Sequence, residues 1–331
     1  MKSIFSLILT AGILLAACQG DKSSSGALRF NDDGRFKIVQ FTDVHYQLDL
    51  PGSDSALRIM QTVIQKEKPD LVVLTGDIVC CNDTKKGWDR VAGILIKAEV
   101  PWAVTLGNHD SEFELTREQI IDYVSGMPYN LAVRGPENIS GSGNYTLEIK
   151  SASSDITKAV LYFLDSHSYP SDRKYFGSYD WIKFDQIQWY LGKSKEYSKA
   201  NNNQPLPALA FFHIPLPEYR DIIYNENTFG VQEELICAPN INSGMYAALL
   251  TSGDVMGTFV GHDHNNNYIG ILRDVCMAYG AVTGLDCYGK IGRGARIIEL
   301  FEGERKFDTW LYYHDNPKKY HVTYPDSFML N

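Results

Sequence analysis

Short, nearly continuous apolar runs recur along the chain at Phe36–Phe41, Leu71–Thr75, Trp102–Leu106, Ala208–Phe212 and Val255–Val260. Runs of this length without alternation predict strands buried on both faces, as in a parallel sheet covered by helices. Between the first of them, apolar residues at 56, 59, 60 and 63 mark one face of a helix over Ser55–Lys66, and Trp88–Ala98 carries a second helical stretch. Thr116 followed by Gln119, ahead of Ile120, Ile121 and Val124, spells a capping box that opens a third. The order β, α, β, α, β, α implies parallel strands joined by crossover helices.

After Gly126 the pattern changes. Tyr145–Ile149 and Ala159–Leu164 predict further strands and Phe184–Tyr197 a helix, while from Tyr268 to Tyr313 short strands alternate with glycine-containing turns as in antiparallel sheet. Near the start, Leu28–Phe30, the polar turn Asn31–Gly34 and Phe36–Phe41 read as strand, turn and strand. No internal repeat is present. One α/β domain over residues 31–331, with two packed mixed β-sheets flanked by helices, accounts for these elements.

The first residues follow a different pattern. Lys2 precedes an apolar run, Ile4–Leu15, that ends in Leu15-Ala16-Ala17-Cys18. The run is short for a permanent membrane span and predicts an export signal. Its ending resembles a bacterial lipoprotein processing site, which implies a signal peptide over 1–18 and a lipid on Cys18. Residues 19–30, rich in Ser, Gly and Lys over Gln19–Ala27, then predict a flexible tether. The mature protein is thereby expected at a bacterial cell envelope, with its lipid anchor in the membrane.

Five cysteines remain after Cys18: Cys80, Cys81, Cys237, Cys276 and Cys287. An odd number without regular spacing is no disulfide framework, and Cys276 with Cys287 is the first pair to check. The net charge is −9 and no block of Lys or Arg could track a nucleic-acid backbone. Neither nucleic acid nor a protein partner is predicted. A small anion stays compatible with this charge, because bound cations reverse the field locally.

Five clusters follow the apolar runs directly: Asp43-Val44-His45, Gly76-Asp77, Gly107-Asn108-His109-Asp110, His213, and Gly261-His262-Asp263-His264. Ligands of open α/β sheets gather beyond the carboxyl ends of strands, so these clusters can converge. Each alone is a weak signal. Of the 8 histidines, however, only His167, His314 and His321 lie outside them. Imidazoles and carboxylates at successive strand ends need partners, and a cation serves all of them at once.

In type and order these motifs resemble the calcineurin-like metallophosphoesterase superfamily, over about Phe36 to Leu300. The stretches Gly107-Asn-His-Asp-Ser-Glu112, Phe212–Tyr219 and Gly261–His264 are similar to the branch of small plant purple-acid-phosphatase-like proteins and fungal phosphatases. The resemblance implies two divalent or trivalent metal ions (Mn, Fe or Zn). Asp43, His45 and His264 would hold one ion, Asn108, His213 and His262 the other, and Asp77 would bridge them. The implied activity is hydrolysis of small phosphate esters, phosphomonoesters first, by a hydroxide bridging the ions. His109 would act as general acid, and Asp110 would orient its ring or serve only as a loop cap. The same centre suits a phosphodiesterase or nucleotide pyrophosphatase, and a metal-containing binding lipoprotein is the non-enzyme alternative. True purple acid phosphatases carry Asp-x-Gly and a tyrosine after Gly-Asp; here His45 and Cys80 stand at those places, which predicts a colourless protein. No thiolate is among the matched ligands, which argues against a soft-metal site. Tyr219, Arg220, Tyr288 and Lys290 lie near motif ends as substrate-contact candidates.

Overall fold

The computed structural model of the protein describes residues 27–329. Cys18, the predicted export signal and most of the predicted tether lie outside these residues.

The predicted first half appears in order: β1 (Arg35–Phe41), α1 (Pro51–Glu67), β2 (Leu71–Thr75), α2 (Thr84–Lys97), β3 (Trp102–Thr105) and α3 (Arg117–Ser125). Thr116 caps α3 by accepting the Gln119 amide, while the Gln119 side chain accepts the Thr116 amide. The second half runs β4 (Tyr145–Lys150), β5 (Thr157–Phe163), the single turn α4 (Arg173–Phe176), α5 (Phe184–Ala200), β6 (Ala208–Phe211), α6 (Met245–Ser252) and β7 (Val255–Val260). It ends with β8 (Ile269–Leu272), β9 (Val275–Tyr279), β10 (Gly294–Phe301), β11 (Phe307–Tyr313) and β12 (Lys319–Tyr324).

Two six-stranded sheets result, ordered β12-β11-β10-β1-β2-β3 and β4-β5-β6-β7-β9-β8. In the first, β1, β2 and β3 are parallel and β10 joins β1 antiparallel, with Ile38 opposite Ile298. In the second, β5, β6, β7 and β9 are parallel, with β4 and β8 antiparallel at the edges. The last segment is thus divided between the sheets, and β9 departs from the antiparallel expectation by pairing parallel with β7.

Alternation within strands builds the layers. On β5, Leu161 and Phe163 face the core shared with β1 to β3, whereas Val160 and Tyr162 face the cluster packed under α5 and α6. Helices α1 to α3 cover the other sheet through Met60, Val63, Trp88, Val91, Leu95, Ile120 and Ile121. The expected arrangement of helices, sheet, sheet and helices is therefore the observed one. The domain starts earlier than residue 31: Leu28 and Phe30 are buried and Arg29 bridges to Lys150, so apolar side chains draw the end of the predicted tether into the fold. All five cysteines among the described residues are free, and Cys276 is sealed inside β9 away from any bridge to Cys287.

Candidate metal centre

Every predicted ligand stands where a strand ends. The chain turns sharply there: Asp43, His45, Asp77 and His262 all adopt positive φ, at 50°, 45°, 53° and 81°. Non-glycine residues in this region store backbone strain, and such strain clusters at functional sites. Glycines make the close packing possible. A Cβ on Gly107 would lie 2.1 Å from Asp77 Oδ1, and one on Gly261 would lie 2.5 Å from Asp43 Oδ2.

The side chains converge as the motifs predict. His45 Nε2 and His264 Nε2 are 3.2 Å apart, and His264 Nε2 is 3.3 Å from Asp43 Oδ1. Asp77 Oδ2 lies 3.1 Å from His213 Nε2 and 3.7 Å from His45 Nε2, between the two groups. Backbone carbonyls fix two tautomers: His213 Nδ1 donates to Thr75 O and His264 Nδ1 to Tyr288 O, which leaves each Nε2 to face the cluster. Asp43 is anchored by the His262 amide and the Thr42 hydroxyl.

A fit test for metal comes from orphaned atoms. Asn108 Oδ1, His213 Nε2 and His262 Nε2 are buried and have no hydrogen-bond partner, although His213 lies close to Asp77. A buried polar atom without a partner costs roughly 1–3 kcal/mol. These three atoms are the set assigned to one ion, and they fit a cation. Tyr169 supports this assignment by accepting from Asn108 Nδ2, so the amide oxygen is the atom that points inward.

The electrostatics agree. Burial lowers His45 to about 4 and His262 to about 3, so both are neutral with lone pairs to give. Burial also disfavours charge on His213 and His264, yet Asp77 raises the first to about 9, and Asp43 with Cys287 raises the second to about 11. Burial would raise Asp43, but the His264 hydrogen bond holds it at about 2, and His213 holds Asp77 well below the usual carboxylate range. Two buried carboxylates that stay ionised demand positive charge between them.

His109, the expected general acid, and Asp110, its expected orienting partner or loop cap, face different groups. The His109 ring is at the open side, 40% exposed, 5.4 Å from the His45 ring. Its Nδ1 donates to Glu112 at 2.6 Å, and Glu112 also accepts from the Tyr169 hydroxyl at 2.9 Å. Asp110 does not orient His109. Its buried carboxylate accepts the amides of Asp77, Ile78, Val79 and Gly107, which ties the loop after β2 to the loop after β3. The loop-cap alternative is the role the geometry gives it, because four amide donors use up its oxygens.

Other expectations sort the same way. His167 bonds Gln186 and His321 faces Asp308, both outside the cluster. Tyr219 is a core residue bonded to Thr258, and Arg220 donates to the Ile236 and Ala238 carbonyls. Tyr288 stacks on His264 with centroids 4.1 Å apart. Cys80 Sγ rests 3.4 Å from His45 Nδ1, behind the ring rather than among the donors. The positions of Glu112 beside His109, Tyr169 beside Asn108 and Cys287 near His45 and His264 were not foreseen from the sequence. Only Glu112, three residues after His109, left a local signal.

A family model described as calcineurin-like phosphoesterase matches residues 36–266. "Probable inactive purple acid phosphatase 29" of Arabidopsis thaliana is 36% identical, over 93% of this chain and 89% of its own. "Phosphatase DCR2" of Saccharomyces cerevisiae is 33% identical, over 88% of this chain and 56% of its own. Among solved structures, a dimetal phosphatase from Danio rerio shares the fold with a TM-score of 0.61 at 14% identity, covering 87% of this chain and 98% of that one. Purple acid phosphatase PPD1 from yellow lupin does so with a TM-score of 0.54 at 13% identity, covering 90% and 55%. With the motifs converged at the strand ends and the match running from β1 past β7, the chain belongs to the calcineurin-like phosphoesterase family.

Proposed function

We propose that the protein hydrolyses small phosphate esters, phosphomonoesters first, at a two-metal centre held by Asp43, His45 and His264, by Asn108, His213 and His262, and by Asp77 between them. The observation that carries this reading is the set of buried, unpartnered donor atoms on Asn108, His213 and His262. Mn, Fe or Zn bound there would stabilise charge on the phosphoryl oxygens and lower the pKa of a nearby water.

The chain's own residues supply the remaining chemistry. Glu112 takes the Nδ1 proton of His109 as a hydrogen bond and fixes the ring, so Nε2 is the nitrogen free to protonate the leaving alkoxide. Tyr169 joins Asn108 to Glu112 and so couples the ligand to the acid. The Asp110 carboxylate holds the Asp77 and Gly107 backbones in register.

The same proposal places the protein at a bacterial cell envelope through a lipid on Cys18, supported by Lys2, the apolar run Ile4–Leu15 and the Leu15-Ala16-Ala17-Cys18 ending. Cys18→Ser should move the expressed protein from the detergent phase to the aqueous phase; unchanged partitioning would remove the anchor. The net charge of −9 favours a small ester attracted by the metals over a nucleic acid.

The names of some relatives call them inactive, so turnover is the first test. The purified protein, stripped and reloaded in turn with Mn, Zn and Fe, is assayed on p-nitrophenyl phosphate and on its bis-ester. Monoester turnover that vanishes in Asp77→Asn supports the proposal, whereas preference for the bis-ester favours the phosphodiesterase alternative. Two bound ions without turnover of either ester would leave the binding lipoprotein.

A further inference from the structure

We propose that Cys287 is a further protein ligand of this centre, a thiolate on the ion held by Asp43, His45 and His264. The inference rests on the two-metal reading and changes which metal that site prefers.

Donor atoms of Cys287, His45 and His264 all lie within 4.8 Å of one another. Zn–S and Zn–N bonds of about 2.3 and 2.1 Å allow donors on one ion to stand up to roughly 4.4 Å apart. The thiol therefore needs a side-chain shift on the order of 1 Å to share an ion with the two imidazoles. Its present partner offers little resistance, a single long contact to Gly284 O at 3.4 Å.

The loop that carries Cys287 is fastened to the ligands on both sides. Ahead of it, Thr283 and Gly284 donate to Thr42 O and Asp43 O, and the Gly284 backbone is pressed so close that a Cβ would lie 2.4 Å from Val44 O. Behind it, Tyr288 O holds His264 Nδ1 and the Tyr288 ring stacks on His264. Arg293 then closes the turn over the carbonyls of Cys287, Tyr288 and Gly289. A thiol held between two ligand-bearing strand ends in polar surroundings differs from the other cysteines. Cys276 packs in the core, and Cys80 sits behind His45 on its Nδ1 side.

A thiolate makes the site softer, so zinc, cobalt or iron gains over manganese and magnesium. This departs from the expectation of a site without sulfur. It also amends the colour: the zinc form stays colourless, while an iron(III) form would absorb visible light through sulfur.

The test uses the full chain, stripped of metal and titrated with Co²⁺. Two bound cobalt ions with a thiolate-to-cobalt charge-transfer band in the near ultraviolet are expected, with the band lost in Cys287→Ser and kept in Cys80→Ser. A second measurement needs no variant: zinc should slow iodoacetamide labelling of Cys287 in the wild-type protein, because a thiolate engaged by the metal is withdrawn as a nucleophile. Two bound ions with no such band, or labelling indifferent to zinc, overturns the thiolate while leaving the two-metal reading intact. Failure to bind any metal overturns both.

Discussion

Glu112 holds His109 from three residues further along the same loop, and Tyr169 holds Glu112 from a distant segment. If His109 protonates the leaving group, Glu112→Gln should hurt esters of poor leaving groups most. Turnover of an alkyl phosphate is expected to fall about 10- to 100-fold, part of the 10²–10⁴ that a general acid supplies. The p-nitrophenyl ester, whose leaving group departs without a proton, should change little. Equal losses on both substrates would count against the assignment. Gly107 offers a second test at this scale: Gly107→Ala pushes a Cβ against Asp77 Oδ1, and elemental analysis should find less bound metal than in wild type. The metal-ligand candidates were legible because each directly follows a buried strand, and ligands gather beyond the carboxyl ends of such strands. That the ends of two different sheets meet here was not written in the spacing. Tyr169 and Cys287 were not legible. Loops whose course depends on tertiary packing bring them in, and no spacing records that.

At the scale of elements, α3 shows how a legible local signal can conceal a long-range one. Its capping box was written in Thr116 and Gln119. Arg117, the next residue after the cap, does more: it donates to the Leu106 and Gly107 carbonyls and pairs with the buried Asp165 beyond β5. Burial raises the Asp165 pKa, but Arg117 overcomes this and depresses it from the usual 3.8 to about 2. A depressed carboxylate stabilises the fold above its unfolded pKa, and that contribution, about 2 kcal/mol, is lost as pH falls from about 4 through 2. Arg117→Met strands the carboxylate and should cost about 3–5 kcal/mol at pH 7. The urea midpoints of wild type and variant should then draw together as the buffer is taken from pH 5 to pH 2. A gap that stays constant with pH would mean that the arginine acts by packing alone. Elsewhere, β1 to β3 were readable because helices cover them and their runs are continuous. The choice of β7 as partner for β9, and of β1 for β10, is a non-local pairing without a periodic trace. The short α6 is apolar nearly all round, so it shows no stripe.

For the whole molecule, the centre is a joint between two sheets. Asp43, His45, Asp77 and Asn108 extend from β1, β2 and β3, whereas His213, His262 and His264 extend from β6 and β7 in the other sheet. Ions held by these residues would therefore pin the sandwich at its ligand end. A second tie is independent of metal: the buried Arg296 on β10 reaches across to the carbonyls of Tyr279, at the end of β9, and Asn267. The two ties predict an uneven response to chelation. A ligand at 1,000 times its dissociation constant stabilises by about 4 kcal/mol. At roughly 2–4 °C per kcal/mol for domains of about this size, stripping the metals should lower Tm by on the order of 10 °C. Hydrogen exchange locates the loss. Amides at 42–46, 76–80, 106–112, 213–216 and 261–265 should exchange faster in the stripped protein, while β9 and β10, tied by Arg296, should keep their protection. Faster exchange spread evenly over both sheets would mean that the metals hold the entire fold rather than its ligand end. In that case Arg296→Met, which removes the other tie, should cost the metal-loaded protein little.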